Sequence, residues 1–247
     1  MVEPRTRWPV QVRMSDLGTH ERVAPHRFLE WCQDAATRAS DAGGYTSARY
    51  VEMGAMWYIR GLAIHMHREV SFGDDVEVET WVSQARRFRC RRQYAVYANG
   101  ELAVAAHAEW MFLKTTNDHV RPYHFDEEIL AAFPIDPART IEDDALADFD
   151  TQFEPSHAVA RTAYASDEDR YGHVNHVHYA AWVTDHLSLA GLHDRRVVQL
   201  RLQYQADVRR GESVELKLAG GPDVVQHRLT QGDKAIARAV TRLAAAG

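Results

Sequence analysis

Cysteine is nearly absent from this chain of 247 residues: Cys32 and Cys90 are the only two, and they form no CxxC pair. Two such residues support neither a disulfide framework nor a cysteine zinc site, which favours a reducing compartment. No apolar run reaches membrane-spanning length, and the first ten residues lack the charged-then-apolar order of a signal peptide. The sequence therefore predicts a cytoplasmic protein that does not act in a membrane.

An excess of positive charge is also absent, because 35 acidic residues outnumber 29 lysines and arginines and give a formal charge of −6. The whole molecule therefore offers no argument for binding nucleic acid or an anionic membrane, and an acidic protein partner would need a local basic patch. A candidate patch is the run Arg86, Arg87, Arg89, Arg91 and Arg92. Strand alternation puts three of these side chains on one face, which is either a solvated surface or a docking site for phosphates or an acidic protein.

What the chain does contain is one order of elements that occurs twice. In each half, periodicity predicts a short strand, a polar turn, an amphipathic helix and then four strands. In the first half the short strand is expected over residues 10–14, Pro25 suits the first helical position, and Asn99-Gly100 marks a hairpin turn. An order that repeats in this way predicts two copies of one domain.

Specific residues repeat along with the elements. Phe28 and Trp31 match Tyr179 and Trp182 at an offset of 151 residues. The run 73–77 matches 211–215 at an offset of 138, so the first half carries 13 extra residues between its helix and its strand hairpins. These extra residues, about 44–56, are apolar and aromatic enough to line or cap a pocket, or they form a surface loop with a few buried anchors.

Between the two halves, residues 131–154 interrupt the periodicity. They contain Pro134, Pro137 and an acidic run at 142–144, and we interpret them as a connector that crosses the surface, with room for a short helix from residue 126 onwards. The connector separates an N-terminal domain, 1–130, from a C-terminal domain, 155–247. One long helix with an antiparallel sheet in each copy defines an α+β fold class.

The clearest chemical signal lies in residues 167–182, which read DEDRYGHVNHVHYAAW. A turn with a carboxylate and an imidazole leads straight into a helix, whose first N–H groups can polarise a carbonyl. The pattern D-x-x-G-H-V-N-x-x-x-Y, from Asp169 to Tyr179, resembles the signature of hotdog-fold thioesterases. The wider run resembles the D-x-x-x-H-V-N-N-x-x-Y run of plant-type fatty acyl-ACP thioesterases.

This resemblance implies a fold and an activity. The fold would be two tandem hotdog domains that form a pseudo-dimer within one chain, which does not forbid a homodimer of chains. The activity would be hydrolysis of a fatty acyl thioester, carried by acyl carrier protein (ACP) or CoA, in fatty acid biosynthesis. No cofactor or metal is expected, because a thioester is already an activated acyl group.

Three residues are the catalytic candidates that the resemblance implies. Asp169 would act as base or nucleophile, although an Asp here can instead cap the turn. His173 would orient that carboxylate or relay a proton, unless it only packs at the helix entry. Asp207 occupies the place of an acidic residue that precedes a cysteine in the family, and Val208 replaces that cysteine. The alternative interpretation, equally favoured, is that Asp207 is a solvated residue of a strand.

Three further residues are predicted to contact the substrate or shape its site: Tyr171, Gly172 and Asn175. Asn175 is also expected to fix the helix start by side-chain hydrogen bonds. Tyr171 stands where the plant-type run has Asn, and it is similar to the D-x-Y-G-H-V-N form of hotdog enzymes that act on acyl-CoA. The carrier therefore stays open between ACP and CoA.

The first repeat lacks this set of residues. The 151-residue offset places Gly18 opposite Asp169, Arg22 opposite His173 and Ala24 opposite Asn175, so the first domain is expected to shape the acyl pocket and not to catalyse. In the second repeat, three histidines at 173, 176 and 178 invite a metal interpretation, but their spacing is unlike the usual zinc patterns. We therefore predict no metal.

Two alternatives to hydrolysis remain at this point. A hotdog hydratase or dehydratase would act on the same thioester, but the usual hydratase spacing of carboxylate and imidazole is absent. A protein that binds acyl thioesters without turnover is the other alternative, favoured by the Tyr171 and Val208 departures.

Overall fold

The structure, a computed structural model, describes residues 6–18, 21–116, 119–139, 149–150 and 152–245. The chain divides into two compact units. Unit 1 comprises residues 1–62 and 67–142, and unit 2 comprises residues 63–66 and 143–247. None of the described helices combines the length and the apolar character that a membrane crossing requires.

Unit 1 consists of one long helix, two short helices and an antiparallel sheet. Its helices are α1 (Pro25–Ala42), α2 (Ser47–Met53) and α3 (Glu127–Ala132). Its strands are β1 (Thr6–Val10), β2 (Ala55–Met66), β3 (Val76–Arg86), β4 (Arg89–Ala98), β5 (Glu101–Thr116) and β6 (His119–Pro122). The strand order is β1-β3-β4-β5-β2, and β6 pairs with β5.

Unit 2 repeats this architecture with one long helix, α4 (His176–Leu189). Its strands are β7 (His157–Thr162), β8 (Arg195–Tyr204), β9 (Ser213–Gly220), β10 (Val224–Gln231) and β11 (Lys234–Ala245). The order β7-β9-β10-β11-β8 is that of unit 1, element for element. The predicted repeat of strand, helix and four strands is therefore confirmed.

Each long helix is held by one buried face. Pro25 opens α1 as predicted, and Phe28, Leu29, Cys32 and Ala35 are buried, where α1 packs against β3 and β1. In α4 the corresponding buried face contains Tyr179, Trp182, Val183, His186 and Leu187. Burial of each large apolar side chain contributes about 1.5–3 kcal/mol to stability, so this face positions the start of each helix.

The structure corrects two predictions in unit 1. The short strand lies at Thr6–Val10 and not at residues 10–14, because Met14–Asp16 forms a 3₁₀ turn in which the Arg13 N–H donates to the Asp16 carboxylate at 2.8 Å. The extra residues 44–56 are not a loop, since they contain α2, which ends at Gly54 in the left-handed region with φ of 58°.

The aromatic residues of the extra segment are core residues. Tyr45 and Tyr50 are buried against Phe112 and Ile129, and Trp57 packs on the same cluster. The Trp57 indole N–H donates to the Tyr50 hydroxyl at 2.9 Å. This cluster explains why the segment is rich in aromatic residues, since it closes the core of unit 1 beside α3.

Candidate active site

The predicted catalytic carboxylate lies in a tight turn between the 3₁₀ turn Ala165–Asp167 and α4. The Asp169 N–H donates to the His173 carbonyl at 2.8 Å. Its Oδ1 accepts from the N–H groups of Tyr171 at 2.8 Å and His173 at 3.3 Å. Oδ2 forms no hydrogen bond or ion pair with another described residue. The carboxylate is thus half-buried and fixed by one oxygen, while the other oxygen is available for chemistry.

His173 contacts Asp169 through its backbone and not through its ring. The N–H and the carbonyl of His173 both bond to Asp169, whereas the half-buried imidazole makes no hydrogen bond within the described part of the chain. The two residues are therefore adjacent, as predicted, and the ring is unconstrained by other side chains. Its predicted role in orienting the carboxylate stays a prediction.

The loop after β8 brings the third candidate close to this turn. The Val174 N–H donates to the Val208 carbonyl at 2.8 Å. This hydrogen bond joins the residue that follows His173 to the residue that follows Asp207. Asp207 itself is exposed, and no described residue forms an ion pair with it. The backbone bond places the Asp207 loop beside the turn, which is a position that a second carboxylate would need.

Asn175 caps α4, as predicted. Its Oδ1 accepts from the Val177 N–H at 3.3 Å, and its carbonyl accepts from the His178 N–H at 2.9 Å. These are two of the first N–H groups of the helix, which are the groups expected to bind a developing oxyanion. Both N–H groups already donate to Asn175. These two amides therefore do not supply the oxyanion-binding donors that we expected at the helix start.

The two remaining predicted residues shape the tip of the turn. Gly172 has φ of 74°, and an added Cβ would meet no atom within 4 Å. Tyr171 is 40% exposed; the Arg170 guanidinium donates to its hydroxyl at 2.6 Å and lies 4.8 Å from its ring centroid. Tyr171 is thus held at the surface by its neighbour.

Three histidines, at 173, 176 and 178, lie near the helix start. Among the described residues, no group of three or more His, Cys, Asp or Glu side chains is arranged to hold a metal ion. Burial, with a smaller contribution from His178, lowers the pKa of His176 to about 4. His176 is therefore neutral near pH 7, and its carbonyl accepts from the Tyr204 hydroxyl at 3.0 Å, which anchors the start of α4 to β8.

Sequence reasoning missed Asp167, which supports the turn from below. It is 3% exposed, its Oδ2 accepts from the Tyr164 N–H at 2.8 Å, and its carbonyl accepts from the Asn175 N–H at 2.8 Å. Its Oδ1 also lies 3.6 Å from His178 Nδ1. The signal was present, because the dipeptide Ser-Asp occurs at 15–16 and again at 166–167, at the same offset of 151.

A second polar cluster lies inside unit 2, away from the turn. The ring nitrogens His157 Nδ1 and His186 Nε2 are 2.9 Å apart. The rings of His186 and His227 are centred 6.5 Å apart, and His227 Nε2 lies 3.0 Å from the Thr241 hydroxyl. Burial lowers the pKa of His186 to about 4 and that of His227 to about 3, and in each case a neighbouring histidine adds to the effect.

Solved structures of other proteins share this fold. The 12:0-ACP thioesterase from Umbellularia californica matches with a TM-score of 0.86 and 18% identity, over 100% of this chain and 99% of that one. An acyl-ACP thioesterase from Bacteroides thetaiotaomicron matches with a TM-score of 0.84 and 17% identity, over 98% of both chains. These matches confirm the predicted α+β fold of two tandem hotdog domains.

The chain belongs to the acyl-ACP thioesterase family. The family model "Acyl-ACP thioesterase N-terminal domain" matches residues 3–133, and "Acyl-ACP thioesterase C-terminal domain" matches residues 152–242. The acyl-[acyl-carrier-protein] hydrolase FATB3, chloroplastic, of Cuphea viscosissima is 28% identical over 193 residues, which are 76% of this chain and 45% of that protein.

A second curated relative extends the comparison over more of the chain. The palmitoyl-acyl carrier protein thioesterase, chloroplastic, of Cuphea hookeriana is 27% identical over 224 residues, which are 85% of this chain and 54% of that protein. The chain thus spans about half the length of the curated relatives that it matches. The matched region includes both domains.

Proposed function

We propose that the protein hydrolyses a fatty acyl thioester carried by ACP, releasing the free fatty acid and the carrier thiol. The observation that carries this proposal is the Asp169 carboxylate, which is fixed through Oδ1 and leaves Oδ2 unoccupied by any described residue. Membership of the acyl-ACP thioesterase family and relatives named as acyl-ACP hydrolases support the substrate class.

In this proposal Asp169 acts as the base. Its Oδ2 takes a proton from a water molecule, the oxygen of that water bonds to the thioester carbon, and the C–S bond breaks as the tetrahedral intermediate collapses. The carrier leaves as a thiolate that receives the proton. A direct attack of Oδ2 on the carbonyl is the nucleophilic version of the same step, and water would then hydrolyse the anhydride.

Two further residues have supporting roles in the proposal. The His173 imidazole, adjacent to Asp169 in the turn, would carry the proton to the leaving sulfur. Asp207, on the loop that is bonded to Val174 through Val208, would act as second carboxylate. Tyr171, Gly172 and Asn175 would shape the rim of the site on the substrate side.

We also propose a division of labour between the domains. The C-terminal domain, 155–247, supplies the catalytic residues, and the N-terminal domain, 1–130, shapes the acyl pocket. Gly18 and Arg22 stand at the positions of Asp169 and His173, so neither the carboxylate nor the imidazole is present there. We retain the cytoplasm as the proposed compartment, because both cysteines are free and buried.

The test is thiol release from acyl-ACP and acyl-CoA substrates of different chain lengths. Asp169→Asn is the sharpest variant, because an amide oxygen still accepts from Tyr171 and His173 while the charge is lost. We expect a loss of about a hundredfold or more in kcat, with His173→Ala losing less. Full activity of Asp169→Asn, with the folded state verified by circular dichroism, would show that the base is another residue.

A binding protein without turnover is the second candidate. It is favoured by the occupied amides of Val177 and His178, which remove two expected oxyanion donors. Such a protein would bind an acyl-ACP in a pull-down or by calorimetry and release no thiol from any substrate. A wild-type rate above the uncatalysed rate excludes this candidate.

A further inference from the structure

The turn between β3 and β4 carries an unusual concentration of positive charge. Arg86, Arg87 and Arg89 are all exposed, and Arg86 and Arg89 are directly opposite each other in the register of the two strands. We call these three residues the arginine hairpin. Like charges that face each other across a strand pair are destabilising, so the hairpin is not explained by the stability of the sheet.

The backbone of this hairpin is also strained. Arg87 has φ of 59°, in the left-handed region where glycine or asparagine is preferred. The turn is nevertheless held in place: the Phe125 N–H donates to the Arg87 carbonyl at 2.7 Å, and the Phe112 N–H donates to the Phe88 carbonyl at 2.7 Å. An arginine retained in a strained turn is a reason to look for a role of its side chain.

The charge of the hairpin is not neutralised by its neighbours. Opposite Arg89, β5 presents Met111, and no described acidic residue forms an ion pair with any of the three arginines. The next arginine along β4 differs, since Arg91 pairs with Glu109 at 2.7 Å. Within the described residues, the three arginines are therefore not ion-paired, and the exposed acidic residues that come near the turn, Asp126, Glu127 and Glu128, follow Phe125.

An apolar group lies beside these charges. Phe88, between Arg87 and Arg89, stacks on His124 with centroids 5.9 Å apart. The Phe88 ring is half-buried and lies 5.2 Å from the Arg89 guanidinium. A partly exposed apolar ring with basic neighbours is typical of a protein-binding surface, whereas small-ligand sites are concave and enclose their ligand.

The corresponding hairpin of unit 2 has none of these features. The turn between β9 and β10 contains Gly220, Gly221 and Pro222, which suit a turn by conformation. Its one charged residue, Asp223, pairs with Arg195 at 2.5 Å. Because the two hairpins occupy equivalent places in the same fold, the arginines are an addition specific to unit 1.

We propose that the arginine hairpin of unit 1 docks the acidic surface of the acyl carrier protein that delivers the substrate. This inference rests on the proposed thioesterase function and names the docking surface of that reaction. The exposed guanidinium groups provide the charge complementarity, and Phe88 provides the apolar contact. Charges at such a rim act mainly on the association rate, and their effect falls as salt rises.

Two variants separate docking from folding. Arg87→Gly removes one charge and relieves the left-handed strain, so its stability should equal or exceed that of the wild type. Arg89→Glu reverses one charge in the middle of the hairpin. Lys234→Glu, at an exposed position on the β10–β11 turn of unit 2, is the matched control because it changes the total charge by the same amount.

The measurement is kcat and KM for one acyl chain carried by ACP and, separately, by CoA. We expect Arg89→Glu to raise KM for acyl-ACP by about tenfold and Arg87→Gly by about threefold, with kcat and all acyl-CoA constants unchanged within about twofold. Lys234→Glu should leave both substrates unaffected. The KM difference between wild type and Arg89→Glu should shrink in about 0.5 M salt.

Other outcomes overturn the inference in distinguishable ways. An equal rise in KM for acyl-CoA would assign the hairpin to CoA phosphates, and an equal effect of Lys234→Glu would reduce it to the net charge of the chain. Retention of the wild type, but not Arg89→Glu, on vesicles of phosphatidylglycerol would assign the hairpin to a membrane surface. Wild-type protein that releases no thiol from either carrier would overturn the thioesterase function itself, and direct binding of ACP would then decide docking.

Discussion

The turns that precede the two long helices share backbone hydrogen bonds among their described residues and differ in their side chains. In unit 1 the Asp16 carboxylate accepts from the Arg13 N–H at 2.8 Å, and in unit 2 Asp167 accepts from the Tyr164 N–H at the same distance. The first bond of each turn is therefore the same, at the offset of 151 residues that the sequence repeat predicts.

The hydrogen bond at the centre of each turn is also the same. The Gly18 N–H donates to the Arg22 carbonyl at 2.7 Å, and the Asp169 N–H donates to the His173 carbonyl at 2.8 Å. The predicted alignment of these residue pairs is thereby confirmed. The comparison shows that this turn folds without a carboxylate or an imidazole at those positions, so folding alone does not explain Asp169 and His173.

Even the strained position of the turn is retained. Gly172 has φ of 74°, and Glu21, at the same offset, has φ of 57°. A glutamate in the left-handed region costs about 1 kcal/mol relative to glycine. Unit 1 thus keeps the conformation of the turn although its residue is poorly suited to it.

The largest effect is expected from exchanging the central residue of each turn. Asp169→Gly copies the turn of unit 1 and should abolish thiol release, by about a hundredfold or more, while the fold is retained. Gly18→Asp copies the turn of unit 2, and an added Cβ at Gly18 would meet no atom closer than 3.8 Å, so it should fold normally. It should add no activity in the Asp169→Gly background; any rescue would show that both turns can catalyse.

The next effect concerns the buried histidines, which among the described residues only unit 2 has. Unit 1 has other residues at the two equivalent positions. Tyr94 of β4, which pairs with Thr80, matches His227 of β10, which pairs with Leu218. Ala35 stands at the position of His186. Because burial lowers the pKa of His227 to about 3, below the ordinary value of 6.5, the folded state resists protonation. The stabilising contribution of the neutral ring is complete above pH 6.5 and is lost as the pH falls towards the folded pKa.

We therefore expect unit 2 to unfold before unit 1 on acidification. At pH 4 the free energy of unfolding of unit 2 should be lower by roughly 3 kcal/mol through His227 alone. His227→Leu should remove most of this pH dependence. Urea unfolding at pH 7 and pH 4 measures it, with Trp182, the one tryptophan in 143–247, as the reporter of unit 2; a variant as acid-sensitive as the wild type would contradict the assignment.

A third difference lies beneath the turns. In unit 2, Arg161 on β7 reaches Asp185 at 3.3 Å and Asp167 at 3.9 Å, and its guanidinium lies 5.2 Å from the centroid of the Trp182 ring. In this unit a single arginine therefore connects the 3₁₀ turn with the middle of α4. Its guanidinium partly neutralises the buried Asp167.

Unit 1 has Val10 at the equivalent position, and a cavity of about 370 Å³ is found there. Its lining includes Val10, Asp16, Trp31 and Asp34, which are the counterparts of the four residues joined in unit 2. Three arginines, Arg13, Arg27 and Arg38, also line it, and Arg27 lies 4.0 Å from Asp16. Burial raises the pKa of Asp34, which Arg38 partly opposes.

Exchanging these two residues should therefore move stability in opposite directions. Arg161→Val is expected to destabilise unit 2 by about 1–2 kcal/mol, because Asp167 stays buried without its cation. Val10→Arg should stabilise unit 1 by no more than about 0.5 kcal/mol, since it fills the cavity but faces two carboxylates that already have Arg27 and Arg38 nearby. Chemical denaturation of both variants measures the effects; equal losses in both would show that the cavity is not a missing-arginine site.

The smallest effect concerns the helix caps. Asn175 caps α4 through its side chain, whereas Ala24 caps α1 without a side-chain hydrogen bond. Asn175→Ala should cost about 1 kcal/mol, and Ala24→Asn should gain about 0.5 kcal/mol. Thermal unfolding by circular dichroism measures both. If Asn175→Ala loses activity under conditions in which it is still fully folded, the predicted role of Asn175 at the substrate site would be supported.

Most of the fold could be predicted from the sequence, because alternation and turn residues specify the strands. The predicted Asn99-Gly100 turn connects β4, at Arg89–Ala98, to β5. The short helix expected in the connector region is α3, Glu127–Ala132. β6 and α2 were missed because they are short and depend on pairing with β5 or on the aromatic cluster, which are tertiary contacts.

The site was predictable only where it is contiguous in sequence. Asp169, His173 and Asn175 lie within one turn, so their proximity follows from chain connectivity. The approach of Asp207 depends on the backbone bond between Val174 and Val208, which no sequence pattern encodes. Which atoms of His173 meet Asp169 is likewise decided by the turn geometry and not by residue type.

The two cysteines have a consequence for the assay itself. Both lie in unit 1, Cys32 on α1 and Cys90 on β4, and both are buried free thiols. Burial raises the pKa of Cys32, and it raises that of Cys90 to about 12, so neither forms the thiolate that reacts with a disulfide reagent near pH 7. The folded protein therefore does not react with the disulfide reagent that is used to measure the released carrier thiol. Slow labelling of Cys32 and Cys90 by the same reagent reports the opening of unit 1 alone.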